Sequence, residues 1–106
     1  MRSGFRAEHW KDENGNPAGG STFGTGFAIS WQHGPLGRPP DRREPNGAFV
    51  EDVLAAVQDR LEHYQSTAFA CPENAAAYCH INTALDVLRS RTKDREERGV
   101  EGTHQA

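Results

Sequence analysis

Two narrow apolar seams in the second half of the chain constrain the fold more than any other feature of the sequence. In each, apolar residues recur at alternating spacings of four and three, which predicts helices over about 47–66 and 72–98. The seams consist of Val50, Leu54, Val57, Leu61 and Tyr64, and then of Ala77, Ile81, Ala84 and Leu88. Because only a short link, STAFACP, joins them, the two helices are predicted to form an antiparallel hairpin.

The ends of both helices carry local signals. Asn46 or Gly47 is the predicted N-cap of the first helix. Pro72 suits the first turn of the second helix, and Gly99 suits the position just after its end.

The first half of the chain is predicted to form a small antiparallel β element. Asn14-Gly15 favours a tight turn that closes a hairpin between strands near 5–10 and 23–32. Phe23, Phe27, Ile29 and Trp31 are expected on one face of the later strand. Residues 1–22 could equally be a polar arm, and 23–106 would then be a single β-plus-helical-hairpin domain. Either way, the fold class is α+β.

Composition limits how such a chain can be stable and where it can act. Only 35% of the 106 residues are hydrophobic, so a homo-oligomer is expected to supply part of the core. The net charge of −3 disfavours nucleic acid as a partner and requires any anion site to be built locally. The sequence contains neither a membrane-spanning run nor a signal-peptide core, which predicts a cytosolic protein. Cys71 and Cys79 are expected to be free thiols.

No familiar catalytic motif is present. The five histidines and two cysteines lack the spacing of a metal site, and the glycine-rich GGSTFGTG lacks the Lys-Ser/Thr of a phosphate-binding loop. The serines and cysteines show no pattern of nucleophile, base and orienting carboxylate. We therefore expect a binding protein without catalytic residues, metal or cofactor.

Several polar residues suit a nucleotide ligand. Continuing the second seam in both directions places Asn74 before it and Arg91 after it, and the loop at 33–45 carries Arg38. Guanidinium groups pair with phosphate, an amide can bind a base edge, and Tyr64 could stack on a base. Asn74 and Arg91 lie about 25 Å apart along one helix, so a shared ligand needs them from different subunits. Polar groups flanking a helical seam are, however, common without any ligand.

The blocks GFAISWQHGPLGR, EPNGAFVEDV and ERGVEGTH resemble the phage-encoded Thoeris anti-defence proteins of the first type, which share a helical-hairpin domain with type 2 anti-CBASS proteins. The resemblance covers about residues 23–104. It implies an oligomeric sponge, hexameric in some members, that holds cyclic ADP-ribose isomers (gcADPR) uncleaved in the host bacterial cytoplasm. Bacterial TIR-based immunity then stays inactive.

The resemblance also implies a set of ligand-binding residues. Tyr64 would stack on adenine, where Phe is expected in relatives; Asn74 would hold polar edges, and Arg91 and Arg38 would pair with the diphosphate. Pro39 and Pro40 could shift the register of the Arg38 loop. The remaining pocket residues are Trp31, Gln32, Phe69, Val100 and Thr103.

Two alternatives stay open. The chain could instead hold cyclic di- or trinucleotides and inhibit CBASS immunity, as the related anti-CBASS proteins imply. It could also be a protein-interaction module whose seams pair with a host helix and whose arginines form only a solvated face.

Overall fold

A computed structural model describes residues 4–106, which form a three-stranded sheet followed by two helices. The strands are β1 (Phe5–Lys11), β2 (Pro17–Gly24) and β3 (Phe27–Trp31), and the helices are α1 (Val50–Gln65) and α2 (Pro72–Glu97). The sheet is antiparallel throughout, in the order β1-β2-β3. The predicted α+β class is therefore confirmed.

The turn between β1 and β2 confirms the prediction made from Asn14-Gly15. Asp12 accepts backbone N–H groups from Asn14 and Asn16 on Oδ1, each at 2.9 Å. Gly15 has a φ of +80° and donates its N–H to the Asp12 carbonyl at 3.0 Å. Glycine adopts this left-handed conformation without the steric cost that a Cβ would add. Residues 5–11 are thus a strand, and the alternative of a polar arm is wrong for them.

The prediction of one strand over about 23–32 is wrong. A turn at Thr25-Gly26 divides this segment, so Phe23 ends up in β2 and Phe27 in β3. Phe23 pairs with Ala28, whereas Phe27 pairs with Gly24, which puts the two phenylalanines on opposite faces of the sheet. In an uninterrupted strand, Phe23 and Phe27 would have lain on the same face, and the turn between them removes that relationship. Phe27, Ile29 and Trp31 do share a face, as predicted.

The predicted cap of the first helix is also wrong. α1 begins at Val50, and Asn46 instead pairs with His33 through its side-chain amide. Ala48 forms a parallel bridge with Trp31, in which the Gln32 N–H donates to the Ala48 carbonyl at 2.9 Å. Residues 46–48 therefore pair with β3 and the start of the following loop, and the predicted cap residues lie outside the helix.

The two helices pack as an antiparallel hairpin, as predicted. The Gln65 side chain bonds Cys71 next to the link, and the Gln58 side chain bonds Asn82 further from it. A residue earlier in α1 thus pairs with a residue later in α2, as antiparallel packing requires. α2 begins at Pro72 after the N-cap Cys71, and Gly99, with a φ of +73°, follows its end. Both features match the expected helix limits within one residue.

The apolar seams are only partly covered in the single chain. No residue of α1 is buried, and Val50 and Val57 are 51% and 45% exposed. The one buried side chain of α2 is Leu85, which flanks the predicted seam. Among residues 4–106, the buried hydrophobic side chains are Ala18, Leu36, Leu85 and Val100. A core this small matches the thin core expected from composition.

The chain divides into two compact units. One, the sheet unit, runs up to Phe49 and also contains Gly99–Ala106; the other, the hairpin unit, is Val50–Arg98. The sequence boundary proposed between residues 22 and 23 lies inside β2. Within the described part of the chain, neither helix is both long and apolar enough to cross a membrane.

Candidate ligand-binding residues

Three of the predicted ligand-binding residues lie together around the link between α1 and α2. The Tyr64 carbonyl accepts the Thr67 hydroxyl at 2.6 Å, and Thr67 Oγ1 accepts the Phe69 N–H at 3.1 Å. The Phe69 carbonyl faces Asn74 Nδ2 at 3.4 Å. This chain of contacts places two aromatic rings and one amide at the same end of the hairpin. Tyr64, Phe69 and Asn74 are called the link cluster below.

Exposure within the link cluster differs sharply between its members. Phe69 is 78% exposed, whereas Tyr64 and Asn74 are half-buried. The Phe69 ring lies at the tip of the helical hairpin, where burying it against a ligand or partner would be favourable. The cluster therefore offers aromatic surface for stacking and an amide for hydrogen bonds to polar edges.

The Gln65 side chain fixes the shape of the link. Its Oε1 accepts the Cys71 N–H at 3.0 Å, and its Nε2 donates to the Cys71 carbonyl at 3.1 Å. One amide thus bonds both backbone groups of Cys71, the N-cap of α2. Sequence reasoning missed this clasp, because a glutamine at the end of a helix has many possible partners. Its effect is to hold the link cluster in a defined conformation.

Tyr64 is flanked by two basic side chains from its own helix. The Arg60 guanidinium carbon lies 4.8 Å from the centre of the Tyr64 ring, a cation–π geometry. The His63 ring centre is 6.0 Å away, tilted by 54°. The predicted stacking residue therefore has a cation beside its π-face. The sequence signal was available, since Arg60 precedes Tyr64 by one helical turn.

Arg91 is exposed and stands apart from the link cluster. It follows Asn74 by seventeen positions on the continuous helix α2, which corresponds to about 25 Å. The structure therefore keeps the separation that the sequence predicted, and within one chain Arg91 and Asn74 cannot touch one small ligand.

Trp31 and Gln32 are engaged within the sheet unit. The Trp31 indole N–H donates to Thr22 Oγ1 at 2.9 Å. Gln32 accepts the Asn46 N–H on Oε1 at 2.9 Å and directs Nε2 to the Gly34 carbonyl at 3.2 Å. The Gln32 side chain holds the two ends of the loop at 33–45 together, whereas the Trp31 indole joins β3 to β2. Both side chains thus use their polar atoms within the sheet unit, a role that the sequence did not predict.

The same loop is tied to the C-terminal segment. Arg42 binds the Glu101 carboxylate through both guanidinium Nη atoms. The Gly37 N–H donates to the Gly102 carbonyl at 2.7 Å. At Gly102, where φ is +80°, an added Cβ would lie 2.4 Å from the Gly37 carbonyl oxygen. Glycine is therefore required at this close approach.

Three further predicted residues lie at this junction of loop and C-terminal segment. Arg38 is exposed and makes a long contact, 3.5 Å, from Nη1 to the Glu101 carbonyl. Val100 is buried, so its side chain belongs to the core of the sheet unit. Thr103 directs its hydroxyl to the Val100 carbonyl at 2.5 Å. Of the loop arginines, Arg43 donates to the Pro35 carbonyl, which leaves Arg38 better placed for an anion than Arg42 or Arg43.

The Asp12 carboxyl lies in an environment that alters its pKa. Hydrogen bonds from the backbone N–H groups of Asn16 and Asn14 lower the pKa of the Asp12 carboxyl below its usual value of 3.8. His104 adds a smaller effect in the same direction, with Nδ1 at 3.7 Å from Oδ2. These hydrogen bonds tie the Asp12 carboxylate into the β1–β2 turn.

Other sites in the described chain offer less. Residues 4–106 contain no cluster of three metal-binding side chains, and Cys71 and Cys79 are both free thiols. An open groove of about 480 Å³ lies at one end of the sheet, but none of the predicted ligand-binding residues lines it. Its lining residues are Gly4, Phe5, Arg6, Phe23, Gly24 and Thr25.

Comparison with known proteins identifies the family. No protein-family profile matches the chain. Over 77 residues, or 73% of the chain, it is 42% identical to the protein named Thoeris anti-defense 1 from Bacillus phage SBSphiJ7. The match takes in 51% of that protein, so the chain spans about half the length of this relative. Identity at this level over most of the chain confirms the resemblance seen in its sequence blocks, and the chain belongs to the Thoeris anti-defence family of the first type.

Proposed function

We propose that this protein binds cyclic ADP-ribose isomers inside the infected bacterium and holds them without cleaving them. Thoeris immunity would then lack the signal that activates its effector. The observation that carries the proposal is 42% identity to a phage Thoeris anti-defence protein, in a chain whose link cluster exposes a phenylalanine beside a tyrosine and an asparagine.

The link cluster supplies the chemistry for the adenine end of such a ligand. Tyr64 and Phe69 offer π-faces, on which a base stacks with about 1–3 kcal/mol. Asn74 donates from Nδ2 and accepts on Oδ1, which suits both the base edge and a ribose hydroxyl. Its contact with the Phe69 carbonyl is long, at 3.4 Å, so a ligand can replace it at little cost.

The diphosphate requires cations, and Arg91 and Arg38 are our candidates for them. Both are exposed. Guanidinium groups bind phosphate through paired hydrogen bonds and keep their charge at every physiological pH. Arg91 cannot reach a ligand at Asn74 of its own chain, so its part in binding requires a second subunit.

The proposed assembly is therefore a homo-oligomer. Support comes from the apolar side chains that the hairpin unit leaves in water, among them Val50, Val57 and Val87, which are 51%, 45% and 63% exposed. Covering the exposed part of each would contribute about half of the roughly 1.5–3 kcal/mol that burying a fully exposed side chain gives. A second copy of the chain would also supply the Arg91 that a ligand at the link cluster needs.

Isothermal titration of the purified protein with a panel of cyclic ADP-ribose isomers tests this function. We expect tight binding of at least one isomer, and loss of at least tenfold in affinity for Tyr64→Ala and Asn74→Ala. Ser90→Ala, an exposed position on α2, is the matched control and should bind as the wild type does.

Binding of cyclic di- or trinucleotides but of no ADP-ribose isomer would overturn the proposal in favour of CBASS inhibition. A protein that binds neither class, in any oligomeric state, would leave the protein-interaction module as the better account.

A further inference from the structure

Arg60 is a cation next to Tyr64, the proposed stacking residue. The family resemblance assigns no role to Arg60. It lies on α1 one turn before Tyr64, with its guanidinium carbon 4.8 Å from the ring centre. It is exposed to solvent. Its side chain therefore packs on the tyrosine and leaves the edges of the guanidinium open.

The charge of Arg60 is not neutralised by any acidic side chain in the described chain. Positions 56, 57, 63 and 64, its neighbours three and four residues away on the helix, are Ala, Val, His and Tyr. No ion pair or hydrogen bond of its guanidinium occurs among residues 4–106. Arg98, in contrast, pairs with Asp94 at 3.0 Å, and Arg42 pairs with Glu101.

We propose that Arg60 is a phosphate-binding residue of the nucleotide site, acting on the same ligand whose base stacks on Tyr64. This inference rests on the proposed function. The guanidinium lies over one π-face of the tyrosine, so a base would stack on the other face, and Arg60 remains exposed to solvent. A diphosphate joined to that base through a ribose would supply acceptors for the N–H groups of the Arg60 guanidinium.

This arrangement gives the site a preference for phosphorylated ligands. Stacking on Tyr64 alone accepts any base, because every base has a π-face. Two or more charge-assisted hydrogen bonds from Arg60 favour a ligand that carries a diphosphate over the matching nucleoside. The contribution of base stacking on Tyr64 and that of phosphate binding by Arg60 can therefore be measured separately, by comparing a ligand without phosphate with one that carries a diphosphate.

The experiment titrates wild type, Arg60→Gln, Arg60→Lys and Arg89→Gln with the cyclic ADP-ribose isomer that binds the wild type, and separately with adenosine. Arg89→Gln removes one exposed charge from the hairpin unit and is the matched control. Adenosine binding is followed by NMR at the Tyr64 ring. We expect Arg60→Gln to bind the isomer at least tenfold more weakly, as loss of its charge-assisted hydrogen bonds implies. Arg60→Lys should fall in between, and adenosine binding should not change.

Each other outcome has a definite meaning. If Arg60→Gln weakens adenosine and the isomer by the same factor, Arg60 only positions the tyrosine ring and the phosphate assignment is wrong. If it changes neither, while Tyr64→Ala abolishes binding of the isomer, the assignment of Arg60 fails and the proposed function stands. If the wild type itself binds no isomer, the proposed function fails and the role of Arg60 fails with it.

Discussion

Arg42 and Glu101, 59 positions apart in the sequence, form a two-point ion pair that joins the Gly-Pro loop to the C-terminal segment. The contact from Nη2 to Oε1 measures 3.0 Å, and the Glu101 side chain is 19% exposed. The paired geometry matches the fork of the guanidinium to the carboxylate. Two adjacent structural features, the Gly37–Gly102 hydrogen bond and buried Val100, place the loop and the C-terminal segment in one packed arrangement.

Removing this ion pair should loosen the loop more than it destabilises the fold. Because the Arg42 side chain is 37% exposed, we expect Glu101→Gln to lower the free energy of unfolding by about 0.5–1 kcal/mol. Exchange of the Gly37 amide hydrogen, measured by NMR, should accelerate. Glu96→Gln, at an exposed helical position, is the control. An unchanged Gly37 exchange rate in Glu101→Gln would show that the ion pair does not hold the loop.

Gly102→Ala should be clearly more harmful than Gly99→Ala. Both glycines have left-handed φ values, +80° and +73°, so each substitution carries the same backbone cost of about 1 kcal/mol. A Cβ at Gly99 meets open space, whereas one at Gly102 lies 2.4 Å from the Gly37 carbonyl oxygen. The difference between the two variants in the free energy of unfolding, measured by chemical denaturation, gives the cost of the contact between the added Cβ and the Gly37 carbonyl. Equal losses in the two variants would contradict the close approach of the loop and the C-terminal segment.

Gln65→Ala should destabilise the helical hairpin by about 1–3 kcal/mol, since it leaves the half-buried Cys71 N–H without its partner, whereas the Cys71 carbonyl keeps the Ala75 N–H at 3.3 Å. Gln58→Ala removes one exposed side-chain hydrogen bond to Asn82 and should cost well under 1 kcal/mol. Thermal unfolding followed by helical circular dichroism compares them. If the two variants melted together, the clasp would have no special role in shaping the link.

Stability of the β1–β2 turn should depend on pH below about 4. The pKa of Asp12 is lowered on folding, chiefly by the backbone N–H of Asn16, so its carboxylate stabilises the folded state above the unfolded value of 3.8. That contribution is lost as the pH falls from 3.8 through the lower folded pKa.

The difference in unfolding free energy between wild type and Asp12→Asn should therefore be largest at neutral pH and shrink across that window. Asn16→Ala keeps the backbone N–H and should retain most of the effect. A difference that stays constant from pH 7 to pH 2 would contradict the lowered pKa.

Local and periodic features of the sequence predicted much of the fold. The Asn14-Gly15 turn, the limits of α2 and the antiparallel helical hairpin all follow from short-range rules of turns, caps and helical spacing. β2 was missed because PAGGSTFG has poor intrinsic strand propensity. It is a strand because it lies between β1 and β3 and bonds to both, and that tertiary context has no signature within the segment itself.

The candidate site could be predicted only in part for the same reason. The link cluster consists of residues that lie close in sequence around one link, namely Tyr64, Phe69 and Asn74. Helical geometry was therefore enough to predict that they lie near one another in space. The Gln32–Asn46 and Arg42–Glu101 contacts join residues that no periodic pattern relates. Such pairings depend on how loops fold back, which spacing rules do not describe.

The most direct test of the account is the fate of the nucleotide after capture. The protein is incubated with a cyclic ADP-ribose isomer, freed of unbound ligand by gel filtration and heat-denatured, and the released nucleotide is identified by liquid chromatography and mass spectrometry. We predict recovery of the intact cyclic isomer in proportion to the wild-type protein, and almost none from Tyr64→Ala. Recovery of linear ADP-ribose, or of no nucleotide from the wild type, would contradict sequestration as the function of this chain.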